Sequence, residues 1–297
     1  MALPHITVCV CTFRRTDLLR RLFTELEKQE TANAFTFSIT VVDNDAAGSA
    51  RATVEECARE SGRETHYSVE PLQGIARARN RALANSRGEY IAFIDDDEYP
   101  TPRWLSLLLA ACRGRDVSGV LGPVLPHFPT PPPGWILRGG MFDRPRHESG
   151  FQIGLSDART GNVLLDRKLI VDAEPFDVRF ALGGEDVDFF RRKMAEGRRF
   201  IWCDEAIVYE TVPESRCTRG YQLRRALLRG HNSWQQRAGR ARKLATSIVA
   251  LPLYTVLLLP LRVAGQHHFM KYLIKWCDHA GRLLAAVGLR TVRERDG

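Results

Sequence analysis

The side chains best suited to chemistry are carboxylates that follow short apolar runs. Tyr90-Ile91-Ala92-Phe93-Ile94 leads directly into Asp95-Asp96-Asp97-Glu98. A continuous rather than alternating apolar run reads as a buried strand. Ligands of open α/β sheets bind at the carboxyl ends of such strands. Four adjacent acids cannot all ionise without opposing charge. A hard divalent cation supplies it most simply, and Mg²⁺ bridging carboxylates to substrate phosphates fits best. A solvated acidic turn is the plain alternative. A second acidic stretch is Gly183-Gly184-Glu185-Asp186. Its glycines permit close approach of the backbone to a ligand. Its acids open a helix, where the helix dipole alone also favours negative charge.

These residues need elements to position them. Ile6 to Cys11 is a strand by composition, and a helix follows from Asp17 to about Glu30, with Leu18, Leu19, Leu22, Phe23 and Leu26 at helical spacing. Phe37 to Val42 is a strand ending in Asp43-Asn44-Asp45, Ser49 to Glu60 a polar helix, and Thr65 to Val69 a short strand. Gly74 opens another helix, and Gly88 is placed to close it. Strand and helix alternate without hairpin signals, which predicts an α/β fold: a mostly parallel central sheet with helices on both faces. No glycine-rich dinucleotide fingerprint and no P-loop is present, which argues against a dehydrogenase or an ATPase. Phosphates would then be held by metal and by arginines.

Beyond Trp104 the pattern loosens. Gly119 to Val124 could form a strand, and then prolines 123, 126, 129, 131, 132 and 133 interrupt regular structure until Trp135. The aromatics of this long loop (Phe128, Trp135, Phe142, Phe151) suit a binding loop or a plain surface connection. Structure resumes near Gly161-Asn162-Val163, and the stretch Phe180 to Arg192 contains the Glu185-Asp186 pair. Phe200 to Cys203 and Ala206 to Tyr209 are short strands, the second ended by Glu210.

The chain has 297 residues and a net charge of +8. That charge is unevenly placed: residues 211–297 hold sixteen basic and four acidic side chains, and the rest is close to balanced. Such asymmetry points to an anionic surface. Leu244 to Leu261 carries no charge, is flanked by Arg240, Arg242, Lys243 and Arg262, and is interrupted by Pro252 and Pro260. That is the short limit for a bilayer span, so a kinked hairpin or an interfacial helix pair suits it equally well. The flanking segments 221–236 and 269–284 read as basic amphipathic helices. Nucleic acid explains the charge but not the apolar run, so a membrane surface is the expected partner. Seven cysteines without repeated spacing, and no signal peptide, indicate reduced thiols and a cytosolic catalytic part.

Taken in order, Cys11-Thr12-Phe13-Arg14-Arg15, Val42-Asp43-Asn44-Asp45, Gly74 to Asn80, Asp95-Asp96-Asp97 and Gly184-Glu185-Asp186 resemble family two of the inverting glycosyltransferases, in particular the branch building bacterial exopolysaccharides of the succinoglycan type. The similarity covers roughly residues 5 to 215. It implies a GT-A fold over 1–215 and a membrane-associated helical region over 216–297. It implies that Thr12, Phe13, Arg14 and Asp43 line the nucleobase pocket of a nucleotide-sugar donor. Arg79, Asn80 or Arg77 would lie near ribose or phosphates. Asp95 would face ribose and metal, with Asp96 beside it, and Asp97 would be the direct ligand of Mg²⁺ or Mn²⁺. Asp186 matches the catalytic base, with Glu185 as an acceptor-binding neighbour after Gly184. Where many relatives carry a histidine, this chain has Glu210, which would complete the metal set; His231 is the other candidate.

The reaction logic agrees with these residues. Displacing a nucleoside diphosphate from a sugar leaves charge that a Lewis acid stabilises, and the acceptor hydroxyl needs one positioned base. One base and no protein nucleophile predict inversion. The expected partners are a nucleotide sugar, UDP-linked by default, and a lipid-linked or saccharide acceptor at the cytoplasmic face of the inner membrane. A sugar nucleotidyltransferase would want a glycine-rich basic loop after the first strand, which Thr12-Phe13-Arg14 is not. A non-catalytic membrane adaptor is supported by the tail alone.

Overall fold

The computed structural model describes residues 3–180, 183–235 and 239–289. Residues 1 and 2, residues 181 and 182 just before the second acidic stretch, and 236–238 and 290–297 of the tail lie outside that set. The chain divides into two compact units. One comprises Met1–Pro126 and Arg144–Glu210, the other His127–Asp143 and Thr211–Gly297. The break after Glu210 lies five residues before the sequence-based boundary; of the proline-rich stretch, Pro123 and Pro126 belong to the first unit and prolines 129, 131, 132 and 133 to the second.

In the first unit, strands β1 (His5–Thr12), β2 (Thr36–Asp43), β3 (Thr65–Val69), β4 (Tyr90–Ile94), β6 (Gly119–Leu121), β8 (Asn162–Asp166) and β9 (Phe200–Trp202) form one sheet in the order β3-β2-β1-β4-β8-β6-β9. The first four run parallel, as does β9 with β6; β8 runs antiparallel to both β4 and β6. The expectation of a mostly parallel sheet covered on both faces holds, with β8 as the reversed strand.

The continuous apolar runs bury both faces. On one side Ile6, Val8 and Val10 of β1 meet Leu19, Leu22 and Phe23 of α1 (Thr16–Glu27), Val54 of α2 (Arg51–Ser61), and Trp104 and Leu108 of α4 (Trp104–Cys112). On the other, Cys9 meets Ala76, Ala78 and Ala82 of α3 (Ile75–Ala84) and Phe189 and Phe190 of α6 (Glu185–Ala195). All seven cysteines are free thiols, consistent with the absence of a spacing pattern. Gly88 does not cap α3, which ends at Asn85. It sits at φ 86° in the turn before β4, where a Cβ would lie 2.5 Å from the His5 carbonyl oxygen.

A small sheet has the order β5-β10-β7, with β5 (Glu98–Pro100), β7 (Val124–His127) and β10 (Val208–Thr211). Pro126 therefore lies in a strand rather than a loop, and Glu210 is within β10 rather than after it. Edge strands tolerate proline because one side of their ladder is unpaired.

In the second unit α5 (Gly134–Gly139) carries Trp135 and Ile136 into a core with Val212, Cys217 and Met270, flanked by Phe128 and Phe142. Three of the loop's four aromatics thus pack in this core. The remaining elements are α7 (Arg219–Gln235), α8 (Arg240–Ala264) and α9 (Gln266–Ala286). The apolar run is one continuous 25-residue helix that keeps Pro252 and Pro260 inside it, not a kinked hairpin.

Candidate functional site

The acids after β4 form a tight turn between two sheets. The Glu98 amide donates to the Asp95 carbonyl at 3.1 Å, and the Asp95 amide donates to Glu98 Oε2 at 3.1 Å. Asp96 is buried and accepts from the Thr12 hydroxyl (2.8 Å) and from Arg15 (2.9 Å); the same Arg15 nitrogen reaches Asp97 at 3.2 Å. The end of β1 and the start of α1 therefore brace the acidic turn. Arg14, at φ 53°, points elsewhere and pairs with Asp45 at 3.0 Å.

Burial pushes the Asp96 carboxyl up to about 6, with Asp97 and Asp95 adding and Arg15 and Thr12 opposing. Burial raises Glu98 well above the carboxylate range, and Asp95 adds to it. Asp95 presents 44% of its side chain to solvent. Its carboxyl is still raised, first by the protein crowded around it and then by Asp97 and Glu210, against Arg79.

The second acidic stretch meets the first through one guanidinium. Gly183 and Gly184 sit at φ 99° and 100°, and α6 begins at Glu185. Arg79, buried on α3, pairs with the buried Glu185 and lies 3.5 Å from Asp95 Oδ1. Burial works against its charge, but Glu185, Asp95 and Asp186 hold its pKa above the ordinary value. Asp186 is half-buried, and its Oδ1 accepts from the Val187 amide at 2.8 Å. Glu210 faces Glu98 across the β5–β10 pair and is bound by Arg144. Arg159 is lowered by burial and by Arg144, while Glu98 and Asp186 act on it in the opposite sense. Thus Asp95, Asp96, Asp97, Glu98, Glu185, Asp186 and Glu210 share one neighbourhood with Arg15, Arg79, Arg144 and Arg159.

Among the described residues no three His, Cys, Asp or Glu side chains already converge on a metal position. The donor chemistry nevertheless suits Mg²⁺ or Mn²⁺: hard oxygens in excess over cations. Gly161 lets the backbone pass close to them, since a Cβ there would lie 2.7 Å from Glu98 Oε1 and 3.3 Å from Asp95 Oδ2. A cation held by one or two carboxylates, with phosphates completing its shell, needs no full protein cage.

Two residues expected at the ligand also have structural work. Asp43 is fully buried; it accepts from the amides of Asp45 (3.0 Å) and Ala50 (2.7 Å) and from the Tyr67 hydroxyl (3.0 Å), which shapes the loop into α2. Asn80 holds both backbone groups of Phe176, at 2.8 and 2.9 Å. Phe13 and Arg77 are half-buried, and Gly184 caps α6. Arg15, Arg144, Arg159 and Gly161 were not singled out from sequence; only Arg15 had a signal, its place in the first motif. The side-chain amide of Asn44, in the second motif, links the carbonyls of Glu70 and Leu72 to the Gly74 amide, tying the loop before α3. A depression of about 510 Å³ lined by Phe176, Arg179, Asp188 and Arg191 contains none of the acids of this site.

Residues 7–172 match the family described as Glycosyl transferase family 2, and residues 90–287 match Glycosyl transferase family group 2. The chain is 35% identical over 245 residues to the succinoglycan biosynthesis protein ExoM of Rhizobium meliloti, covering 80% of this chain and 76% of that one. Its structure is similar to the mannosyltransferase PcManGT from Pyrobaculum calidifontis, solved with GDP-Man and Mn²⁺, with a TM-score of 0.63 at 18% identity over 95% of this chain and 88% of that one. It is also similar to S. aureus TarS 1–349 in complex with UDP-GlcNAc, with a TM-score of 0.54 at 15% identity over 98% and 94%. At these identities the two structures establish the GT-A-like fold.

Proposed function

The chain belongs to glycosyl transferase family 2, and from that premise we propose that it moves a sugar from a nucleotide-sugar donor to a hydroxyl of a lipid-linked or saccharide acceptor in polysaccharide biosynthesis, with inversion. The observation that carries this reading is Arg79, which joins Asp95 at the tip of β4 to Glu185 at the head of α6. Donor-side and acceptor-side acids are thereby held on either side of one cation. ExoM's role in succinoglycan biosynthesis and the nucleotide sugars bound by TarS and PcManGT support the substrate classes. UDP is the default nucleotide.

Asp186 accepts the proton of the acceptor hydroxyl as it attacks the anomeric carbon. A base placed in this way contributes about 10²–10⁴-fold. Arg79 fixes Glu185, and through it the first turn of α6 that carries Asp186. Arg144 and Arg159 supply positive charge beside the acids for a diphosphate. Asp97, Asp95 and Glu210 would hold Mg²⁺ or Mn²⁺, which when bound neutralises the departing diphosphate as a Lewis acid. The 211–297 region, with its excess of basic side chains, keeps the enzyme at the cytoplasmic face of the membrane, where a lipid-linked acceptor is presented.

Purified full-length protein is given a panel of UDP- and GDP-sugars with lipid-linked acceptor, with Mn²⁺ or with chelator, and nucleoside diphosphate release is measured. The expected result is metal-dependent release from at least one donor, with the opposite anomeric configuration in the product. Asp186→Asn should lose transfer while still binding UDP with Mn²⁺. Absence of release from every donor and metal would refute the proposal.

A further inference from the structure

We infer that α8 lies in the plane of an anionic leaflet with its outer face in the lipid, and does not cross the bilayer; the inference rests on the proposed membrane association and adds its geometry. By length and composition α8 could span, with a mean hydropathy of 2.0 over its most apolar window and only 6% of that window buried. Its neighbours exclude that arrangement. α9 runs antiparallel along it: Ser247 bonds His279 and Arg282 at 3.0 Å, Thr255 accepts from Trp276 at 2.9 Å, and Tyr254 packs on Tyr272. α7 is locked to α9 in turn. Arg229 pairs with Asp278 at 3.1 Å, and a Cβ on Gly230 or Gly281 would collide with the backbone of the opposing helix. A spanning α8 would draw Lys271, Lys275, Asp278, Arg282 and Arg229 to bilayer depth beside it. Charges there are costly and need partners facing a bundle interior or water; Lys271 and Lys275 are exposed.

The same geometry suits an interfacial helix. Ser247, Leu251, Tyr254, Leu258 and Leu261 form the stripe turned to the protein, and Ile248, Val249, Leu253, Val256, Leu259 and Val263 form the outer stripe, 56–91% exposed. That outer stripe has no charge between Leu244 and Leu261, and basic side chains stand at both ends, Arg240, Arg242 and Lys243 before it and Arg262 after it. An apolar face with basic flanks is the pattern that buries in the headgroup–acyl boundary while the cations reach lipid phosphates. A second copy of this chain is a poorer occupant, since it would bring two basic regions together.

The full-length protein is reconstituted into sealed vesicles of phosphatidylcholine with phosphatidylglycerol, floated, and labelled with a membrane-impermeant maleimide. Ala241→Cys and Ala264→Cys place exposed thiols at the two ends of α8, and the native chain supplies the background. Flotation with both ends labelled from the outside is the expected result. Flotation with one end protected until detergent is added would overturn the in-plane geometry and leave membrane association standing. Failure to float would overturn both. In a second measurement the Leu253→Asp/Val256→Asp protein, altered only at exposed positions, should bind the same preformed vesicles at least tenfold more weakly than the native chain, with unchanged circular dichroism. Equal binding would overturn the assignment of the outer stripe.

Discussion

Replacing Arg79 by methionine tests the link between the two acidic stretches. The Arg79 side chain is 7% accessible and Glu185 3%, whereas Asp95 is 44% accessible and can turn to water. The loss therefore falls on Glu185. Removing one partner of a buried ion pair leaves an uncompensated charge and costs about 3–5 kcal/mol. At roughly 2–4 °C per kcal/mol for a chain of this size, the melting temperature should fall by about 10 °C. The pH dependence has a fixed sign. Burial already raises the Glu185 carboxyl, despite Arg79, so the folded state binds that proton more tightly than the unfolded chain does. The stabilisation from that proton is full below the unfolded pKa and is lost as pH rises through the folded one. Without Arg79 the folded value moves higher still, so the deficit should be larger at about pH 8 than at about pH 5.5. The Arg79→Met/Glu185→Gln double variant, which buries no charge there, should recover most of the loss. Thermal unfolding by circular dichroism at both pH values measures this. A deficit under about 1 kcal/mol, or one equal at the two pH values, would refute the argument that this pair joins the stretches.

Further outcomes follow from the same geometry. Gly161→Ala puts a Cβ 2.7 Å from Glu98 Oε1; Mn²⁺ affinity in the presence of UDP, read by calorimetry, should fall at least about tenfold while the fold persists, since roughly 1.4 kcal/mol of lost coordination is enough. Asn80→Ala leaves the buried N–H and C=O of Phe176 unpaired, a cost of about 1–3 kcal/mol for each group, visible in urea unfolding. The Asp96 carboxyl should titrate near pH 6 by carbon NMR. Stability from its proton is present below the unfolded value and lost as pH rises through about 6. Thr12→Val removes a hydrogen bond that holds the value down and should move the midpoint higher; a midpoint that stays put or falls would show that this bond does not reach Asp96.

How far the site could be read in advance depended on the kind of constraint. The acids after Ile94 stand out because a strand too apolar to face water ends in charge that needs a partner, a contradiction within nine residues. The pairing of Glu185 with Arg79 joins positions 106 apart, and no local pattern links an arginine on one helix to the head of another. Arg144 and Arg159 were hidden for the same reason: they lie in irregular segments whose composition gives no periodicity. Asp43 is placed at a ligand by its strand end and by the family resemblance, and Asn80 by the resemblance alone. The backbone amides of Asp45 and Ala50 and the peptide groups of Phe176 engage those side chains as well. A polar side chain that satisfies buried backbone has the same sequence signature as one that binds substrate. Of the carboxylates at the strand and helix ends, Asp95 keeps accessible surface, Asp186 keeps part of it and Asp43 is fully buried. The raised carboxyls, Asp95, Asp96, Glu98 and Glu185, gather at one place: the β4 turn and the first turn of α6, with Arg79 between them.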